Sequence, residues 1–579
     1  MNLQTADQHA SISLTLRILP VLFFCSGASS LIFETIFTRL LTYTFGNTAH
    51  AVSTVLATFL GGLALGAYLI GRWVDRRPPS LWIYGGLELL VGIYCLLIPN
   101  LFALLTQSYV ALYHRFQLGP AGLTPVRFAL AALVILGPAL LMGGTLPALA
   151  RYVAAAQGEP PWRISRLYAW NTLGAALGTL GSTYLLMPYL GVRETICFAA
   201  GMDFVIFLCV AILASRAALP DAREAPRSPE VATSSAAMPS STRSVLLLLG
   251  ALLTGAVALA YEVIWTHVLA FLIGNTVYAF GVMLFTFLCG LGWGAHIVAR
   301  RFRRPEVWAR ALAASQLFLG LAIFATLPLW NRIPDLFAKG LTKAFEIDLL
   351  SGAFLVVLRM IYVSWRIYRR PSAPAFPWPQ ALELVAEAVV LVAIMSFDTS
   401  FIWKYESTYF LAGELLRFLC AFYLLIVPAL LLGLSFPLLL QLASHRVTRV
   451  ATKVGGVYAC NTLGTILGSV LTGFVLLPSW GSHLTLRAAA TVNLLLGLGF
   501  ALWLVRLNRV PRLVLAGVVT SLALLFWLGP GGWDARRMSR GSYVYFDPGW
   551  QIDRVLFMKE DTQGGLTSVI QVGNARVLL

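Results

Sequence analysis

The stretch SGASSLIFETIFTRLLTYTFGNTAHAVSTVLATFLGGLALGAYLIG, residues 26–71, returns as TGAVALAYEVIWTHVLAFLIGNTVYAFGVMLFTFLCGLGWGAHIVA, residues 254–299. The offset is constant at 228 residues, placing Glu34 on Glu262, Gly46-Asn47-Thr48 on Gly274-Asn275-Thr276, and Gly62 and Gly66 on Gly290 and Gly294. Further on, GPALLMGGTLP from Gly137 matches VPALLLGLSFP from Val427, and LYAWNTLGAALG from Leu167 matches VYACNTLGTILG from Val457, now 290 residues apart. The second copy therefore carries 62 extra residues, between about Gly320 and Glu414. A duplication of this length must be settled before any local reading of the chain.

Working outward, each copy resolves into six apolar runs, roughly 17–45, 49–71, 81–106, 124–150, 166–190 and 194–214, then 244–273, 277–299, 308–330, 410–442, 455–478 and 484–505, most of them long enough to cross a bilayer as helices. An even number per copy gives both the same orientation, a parallel repeat. The composition agrees, with 58% hydrophobic and only 12% charged residues among 579, where a soluble domain carries roughly 25% charged residues. An ordinary water-soluble enzyme is excluded. The expected fold is an all-α polytopic membrane protein of two parallel six-helix repeats. The first spans 1–214 and the second 244–508, joined by a Ser-, Pro- and Arg-rich linker at 215–243 that reads as flexible. The second repeat holds a helical hairpin insertion at about 340–407, an additional helix is expected at 509–530, and a β-rich tail at 531–579. In that tail LTSVIQV alternates in polarity and Gly573-Asn574 marks a turn, the pattern of a short meander. Too small to be stable alone, it reads as the beginning of a domain.

The net charge of +17 raises the alternatives of nucleic-acid binding and membrane topology. With the N-terminus in the cytoplasm, inner loops hold about 25 Lys and Arg against about 7 outside, the asymmetry of the positive-inside rule. Arg72, Arg76 and Arg77, then Arg300, Arg301, Arg303 and Arg304, then Arg446, Arg449 and Lys453 are the inner clusters. Spread over short loops, they do not form a nucleic-acid surface. The expected location is the cell inner membrane. Seven cysteines sit singly in apolar runs and the histidines are dispersed, so neither a disulfide framework, a metal site nor another cofactor is expected.

Charges inside apolar helices are costly unless paired, protonated or wetted, so Glu34 and Glu262 are the first site candidates. Arg127 and Arg417 open the fourth helix of each copy at similar depth, which predicts a Glu34–Arg127 and a Glu262–Arg417 pair, either a gate or a structural tie. Arg39 and His267 follow the glutamates in equivalent positions. Glu88, matched by Gln316, is a further interior candidate, whereas Asp203 shows no acidic counterpart. Small-xxx-small faces at Gly62 and Gly66, Gly174 and Gly178, Gly290 and Gly294, and Gly464 and Gly468 predict close helix packing. Asn171 and Asn461 are polar groups near the start of the fifth helix of each copy, and Gly143, Pro147, Gly433 and Pro437 are expected to break the fourth.

SGASSLIFETIF with FGNT, FLGGLALGAYLIGRWVDR, YEVIWTHVL with IGNT, NTLG in each copy, and the tail VLFMKEDTQGGLTSVIQV together resemble membrane-bound spermidine-synthase-like proteins, which join a helical region similar to the major facilitator superfamily to a polyamine aminopropyltransferase domain. GRWVDRR, residues 71–77, also resembles the loop between helices 2 and 3 of major facilitators. The resemblance implies polyamine aminopropyl transfer by a following domain; no catalytic residue can be carried onto this chain. Two other classes stand beside it: a secondary transporter for a polyamine or other small cation, and a membrane scaffold engaging a protein partner through the tail. With both insertion segments and the run at 513–528 crossing, the tail would lie outside, which counts against a cytoplasmic transferase.

Overall fold

The computed structural model describes residues 3–45, 49–117, 120–157, 162–216, 240–274, 276–336, 410–444, 450–505, 509–528, 532–540, 552–560 and 566–578, with a few positions between 356 and 387. The Gly46-Asn47-Thr48 segment, Asn275, the linker, nearly all of the insertion and the side chain of Arg127 lie outside the described residues.

Lipid offers a backbone no hydrogen-bond partners, so apolar runs of this length close their own bonds as helices. Each copy does so six times. The first gives α1 (Leu3–Phe45), α2 (Ala49–Asp75), α3 (Leu81–Phe116), α4 (Pro120–Gln157), α5 (Trp162–Gly181) and α6 (Val192–Arg216). The second gives α7 (Ser240–Ile273), α8 (Val277–Arg301), α9 (Pro305–Trp330), α10 (Phe410–Ser444), α11 (Val450–Leu471) and α12 (Leu477–Leu504), followed by α13 (Arg509–Leu528). Among the described residues ten segments are apolar and long enough to cross a membrane, one of them carrying α11 and α12 together. The described residues form an all-α polytopic membrane protein with a small β-tail, as the sequence predicts. Leu133, Tyr189 and Leu495 point out of the bundle, where a bilayer covers apolar side chains that water would not. Gly143, Pro147, Gly433 and Pro437, where bends or kinks were expected, lie within the helices α4 and α10.

The duplication reaches into backbone irregularities. Beyond α5 the chain makes one π-helical turn, Ser182–Leu186, and beyond α11 another, Thr472–Leu476, again 290 residues apart. Each precedes a proline, Pro188 or Pro478, whose missing N–H cannot bond four residues back, and the helix widens to the five-residue bond made by Met187 N–H to Ser182 or Leu477 N–H to Thr472. Gly191 and Gly481 then turn both chains with φ of 88° and 72°, a conformation open to glycine.

Chain contacts define two compact units. One comprises Met1–His267, Leu284–Phe324 and Ile426–Pro530, and the other Val268–Met283, Ala325–Leu425 and Gly531–Leu579. Within the first, glycine faces set the helix pairs. A Cβ on Gly66 would stand 1.9 Å from the Leu140 carbonyl oxygen, and one on Gly294 2.2 Å from that of Leu430, so α2 lies directly on α4 and α8 on α10. Gly174 and Gly178 seat α5 against Phe24 and Ala28 of α1, and Gly464 and Gly468 seat α11 against Leu252 and Ala256 of α7. Gly62 and Gly290 meet Ala139 and Ala429 in the same manner. Phe526 of α13 stacks on Phe324, ring centroids 3.7 Å apart.

In the second unit Trp533 Nε1 donates to the Leu327 carbonyl, and Arg537 and Arg540 both pair with Asp335, fastening the segment after α13 to the end of α9. Of the insertion, 356–357 and 359–364 are helical and Arg359 pairs with Glu387. The tail is an antiparallel meander of β1 (Arg554–Glu560), β2 (Leu566–Val572) and β3 (Ala575–Leu578). A bulge lies between Val555 and Phe557, and Gly573, φ 59°, makes the second turn.

Candidate functional site

Glu34 and Glu262 stand at matching positions on α1 and α7, and neither is fully buried. Their carboxyls lie within coulombic reach of each other, and Tyr458 of α11 lies within reach of Glu34. One turn on, Thr38 and Thr266 each return a hydroxyl bond to the carbonyl of their own glutamate, at 3.0 and 2.7 Å. Phe436 joins the repeat-related tyrosines beside them, its ring 4.8 Å from Tyr168 and 5.8 Å from Tyr458. Two like charges within coulombic reach inside a membrane need a shared cation, a proton or water. Among the described residues neither carboxylate has an ion-pair partner.

The expected Glu262–Arg417 pair is corrected. Arg417 pairs with Glu414, one turn earlier on α10, and its Nε donates to the Ile273 carbonyl at 2.9 Å. The nearer counter-charge at i−3 takes the guanidinium. For Glu34 the expected partner Arg127 has its side chain outside the described residues. Arg39 is half-buried and His267 buried, each engaged by neighbours. Asn171 Nδ2 donates to the Phe23 carbonyl at 3.1 Å, binding α5 to α1, and Asn461 lies against Gly255 of α7.

A second polar centre lies between α1, α3 and α6. Glu88, 2% exposed, accepts from Ser26 Oγ at 2.7 Å, and Asp203, fully buried, packs against Gly92 one turn along α3. Neither Asp203 oxygen has a hydrogen-bond partner among the described residues. Asn493, 290 residues beyond Asp203, donates to Gln316 at 3.2 Å, and Tyr261 reaches Asn493 Oδ1 at 3.3 Å. Gln316 in turn donates to Ser435 at 2.5 Å. Sequence reasoning missed this equivalence although the second offset, applied to Asp203, lands on Asn493.

At one end of the bundle the two copies are tied together. Asp75, closing α2, accepts from the backbone N–H groups of Ala451 (3.2 Å) and Thr452 (2.6 Å) at the start of α11, and Arg151 stands 3.6 Å from the same carboxylate. A carboxylate at a helix N-terminus satisfies free donors and meets the positive end of the helix dipole. Close by, Gln441 donates to Ser165 Oγ at 3.1 Å, and Ser165 Oγ reaches the Pro437 carbonyl at 3.4 Å. Within the GRWVDRR loop, Asp75 is thus the residue that crosses between copies.

No protein-family model and no curated protein matches the sequence. Among solved structures the chain is similar to the POT family transporter PepTSo, at 15% identity over 84% of this chain and 97% of that one, with a TM-score of 0.33. Neither the family models nor the curated proteins return a spermidine-synthase-like protein. With nothing in these comparisons to support them, the expectations of spermidine-synthase membership and of a membrane region serving aminopropyl transfer are withdrawn.

Proposed function

We propose that the protein is a secondary transporter whose two six-helix copies alternate access to a site built around Glu34 and Glu262. The observation that carries this reading is the pair of repeat-related carboxylates, within coulombic reach of each other and with no ion-pair partner among the described residues. A binding group drawn equally from both copies changes its surroundings whenever the copies rock, which alternating access requires. Two acidic groups beside Tyr458 suit a small organic cation, the class to which polyamines belong: carboxylates meet the charge and an aromatic face the methylenes. Asn171 and Asn461 act as helix ties flanking the site, and the glycine faces as the rigid contacts that keep each copy a moving body. Arg39 and His267 set the polarity one turn beyond the glutamates. The basic excess of the inner loops supports a cytoplasmic N-terminus and Asp75 tie in a cell inner membrane, an orientation in which the tie closes the inner entrance. A protein partner on the tail is a secondary possibility that pull-down with residues 531–579 deleted addresses.

The test is uptake of labelled spermidine and of a monovalent organic cation into proteoliposomes. Wild type accumulates at least one of them, and E34Q/E262Q lowers the rate by about tenfold or more, the loss expected when charge-assisted contacts are removed. No uptake of either cation by wild type, or equal uptake by the double variant, overturns the reading.

A further inference from the structure

The Asp75 tie has a counterpart of opposite charge. The position equivalent to Asp75 is Arg303, at the end of α8, and the position equivalent to Thr452 is Trp162, at the start of α5. There the guanidinium of Arg303 lies over the Trp162 ring at 4.7 Å, and that of Arg163 at 5.2 Å. Trp162, Arg166, His296, Arg300 and Arg303 line a cavity of about 290 Å³. A second cavity of about 260 Å³ shares Trp162 and Arg166 with it and adds Arg17 and Arg163.

We propose that this basket binds a phosphate-bearing anion, which supplies between α5 and α8 the negative charge that Asp75 supplies at α11. Three observations support the assignment. Among the described residues Arg163, Arg166 and Arg303 make no ion pair with a carboxylate, so these three guanidiniums offer their charge to a ligand. Burial, and after it the adjoining Arg166, hold the Arg163 guanidinium below its ordinary value. The guanidiniums come from two helices of different copies, so a multidentate oxyanion can bridge them, and planar forks suit phosphate oxygens better than ammonium groups do. Arginines that merely marked topology would need neither a shared cavity nor a common aromatic floor. The site does not depend on the transport reading, because its ligand is an anion held at the bundle's end.

A headgroup phosphodiester and free phosphate share this chemistry, and two arms separate them. The full chain is reconstituted in nanodiscs of phosphatidylcholine and probed with radiolabelled inorganic phosphate. In parallel it is reconstituted with phosphatidylglycerol added, and retained lipid is counted by native mass spectrometry. Saturable binding near one anion per chain is expected in at least one arm, weakened about tenfold or more in R166Q/R303Q, as charge-assisted bonds are lost, and unchanged in R304Q. Retention of phosphatidylglycerol alone assigns a lipid headgroup; phosphate binding assigns a soluble ligand. Should the double variant not fold, R303Q alone, at an exposed position, is expected to weaken binding about threefold or more. Absence of binding in both arms, or an equal loss in R304Q, overturns the proposal.

Discussion

The three-helix contact of α1, α3 and α6 and its copy in α7, α9 and α12 share a backbone plan but differ in the chemistry of their polar centre. In the second copy, amides bring donor and acceptor together: Asn493 donates to Gln316, Gln316 to Ser435, and Tyr261 to Asn493. In the first, carboxyl groups occupy both equivalent positions. Ser26 serves Glu88, while Asp203 has no described donor. An ionised carboxylate only accepts, so the acidic version lacks donors that the amide version carries itself. Duplication preserved the placement of these buried polar residues while one copy came to carry amides and the other carboxyls.

The comparison breaks most severely if the second copy is made acidic. Q316E/N493D removes two donors and buries two uncompensated carboxylates, and is expected to cost about 3–5 kcal/mol, read as a lowered unfolding midpoint in detergent; a midpoint within error of wild type would mean that the amide chain is not what sustains this contact. Q316L follows, at about 2–3 kcal/mol, because Asn493 and Ser435 both lose a buried partner. S26A, which strips Glu88 of its donor, should cost about 1–2 kcal/mol. Smallest is E88Q/D203N, which rebuilds the first copy as the second: stability should hold or rise by up to about 1–2 kcal/mol, and infrared absorption from any protonated carboxylic acid at this centre should vanish. A large loss of stability in that variant would show that the acids are structurally required.

How much of this was legible beforehand follows from what a linear repeat can reveal. Two constant offsets sufficed to place twelve helices and to single out Glu34 with Glu262, because a duplicated carboxylate in an apolar run is visible without coordinates. The glycine faces were readable for the same reason, as spacing along one helix. The bond from Asp75 to Thr452 was not, since it closes a sequence separation of 377 residues and its acceptor meets backbone donors that leave no trace in side-chain identity. Arg417 was assigned to Glu262 because both were duplicated in pattern, yet Glu414 one turn away offered a nearer charge. The transferase resemblance rested on shared membrane motifs and on the tail VLFMKEDTQGGLTSVIQV, and such motifs describe how helices and strands pack before they describe chemistry.

The paired π turns at Ser182–Leu186 and Thr472–Leu476 hold one surplus residue each. A helix that absorbs an extra residue rotates everything beyond it by about 100° relative to an uninterrupted α-helix. The short segments after them, 187–190 and 477–480, therefore present a different angular face from the one that α5 and α11 would have carried forward. Deleting a single residue from either turn would act as a phase shift: the inner packing against α1 or α7 would keep its register while the segment beyond swung by a quarter turn or more.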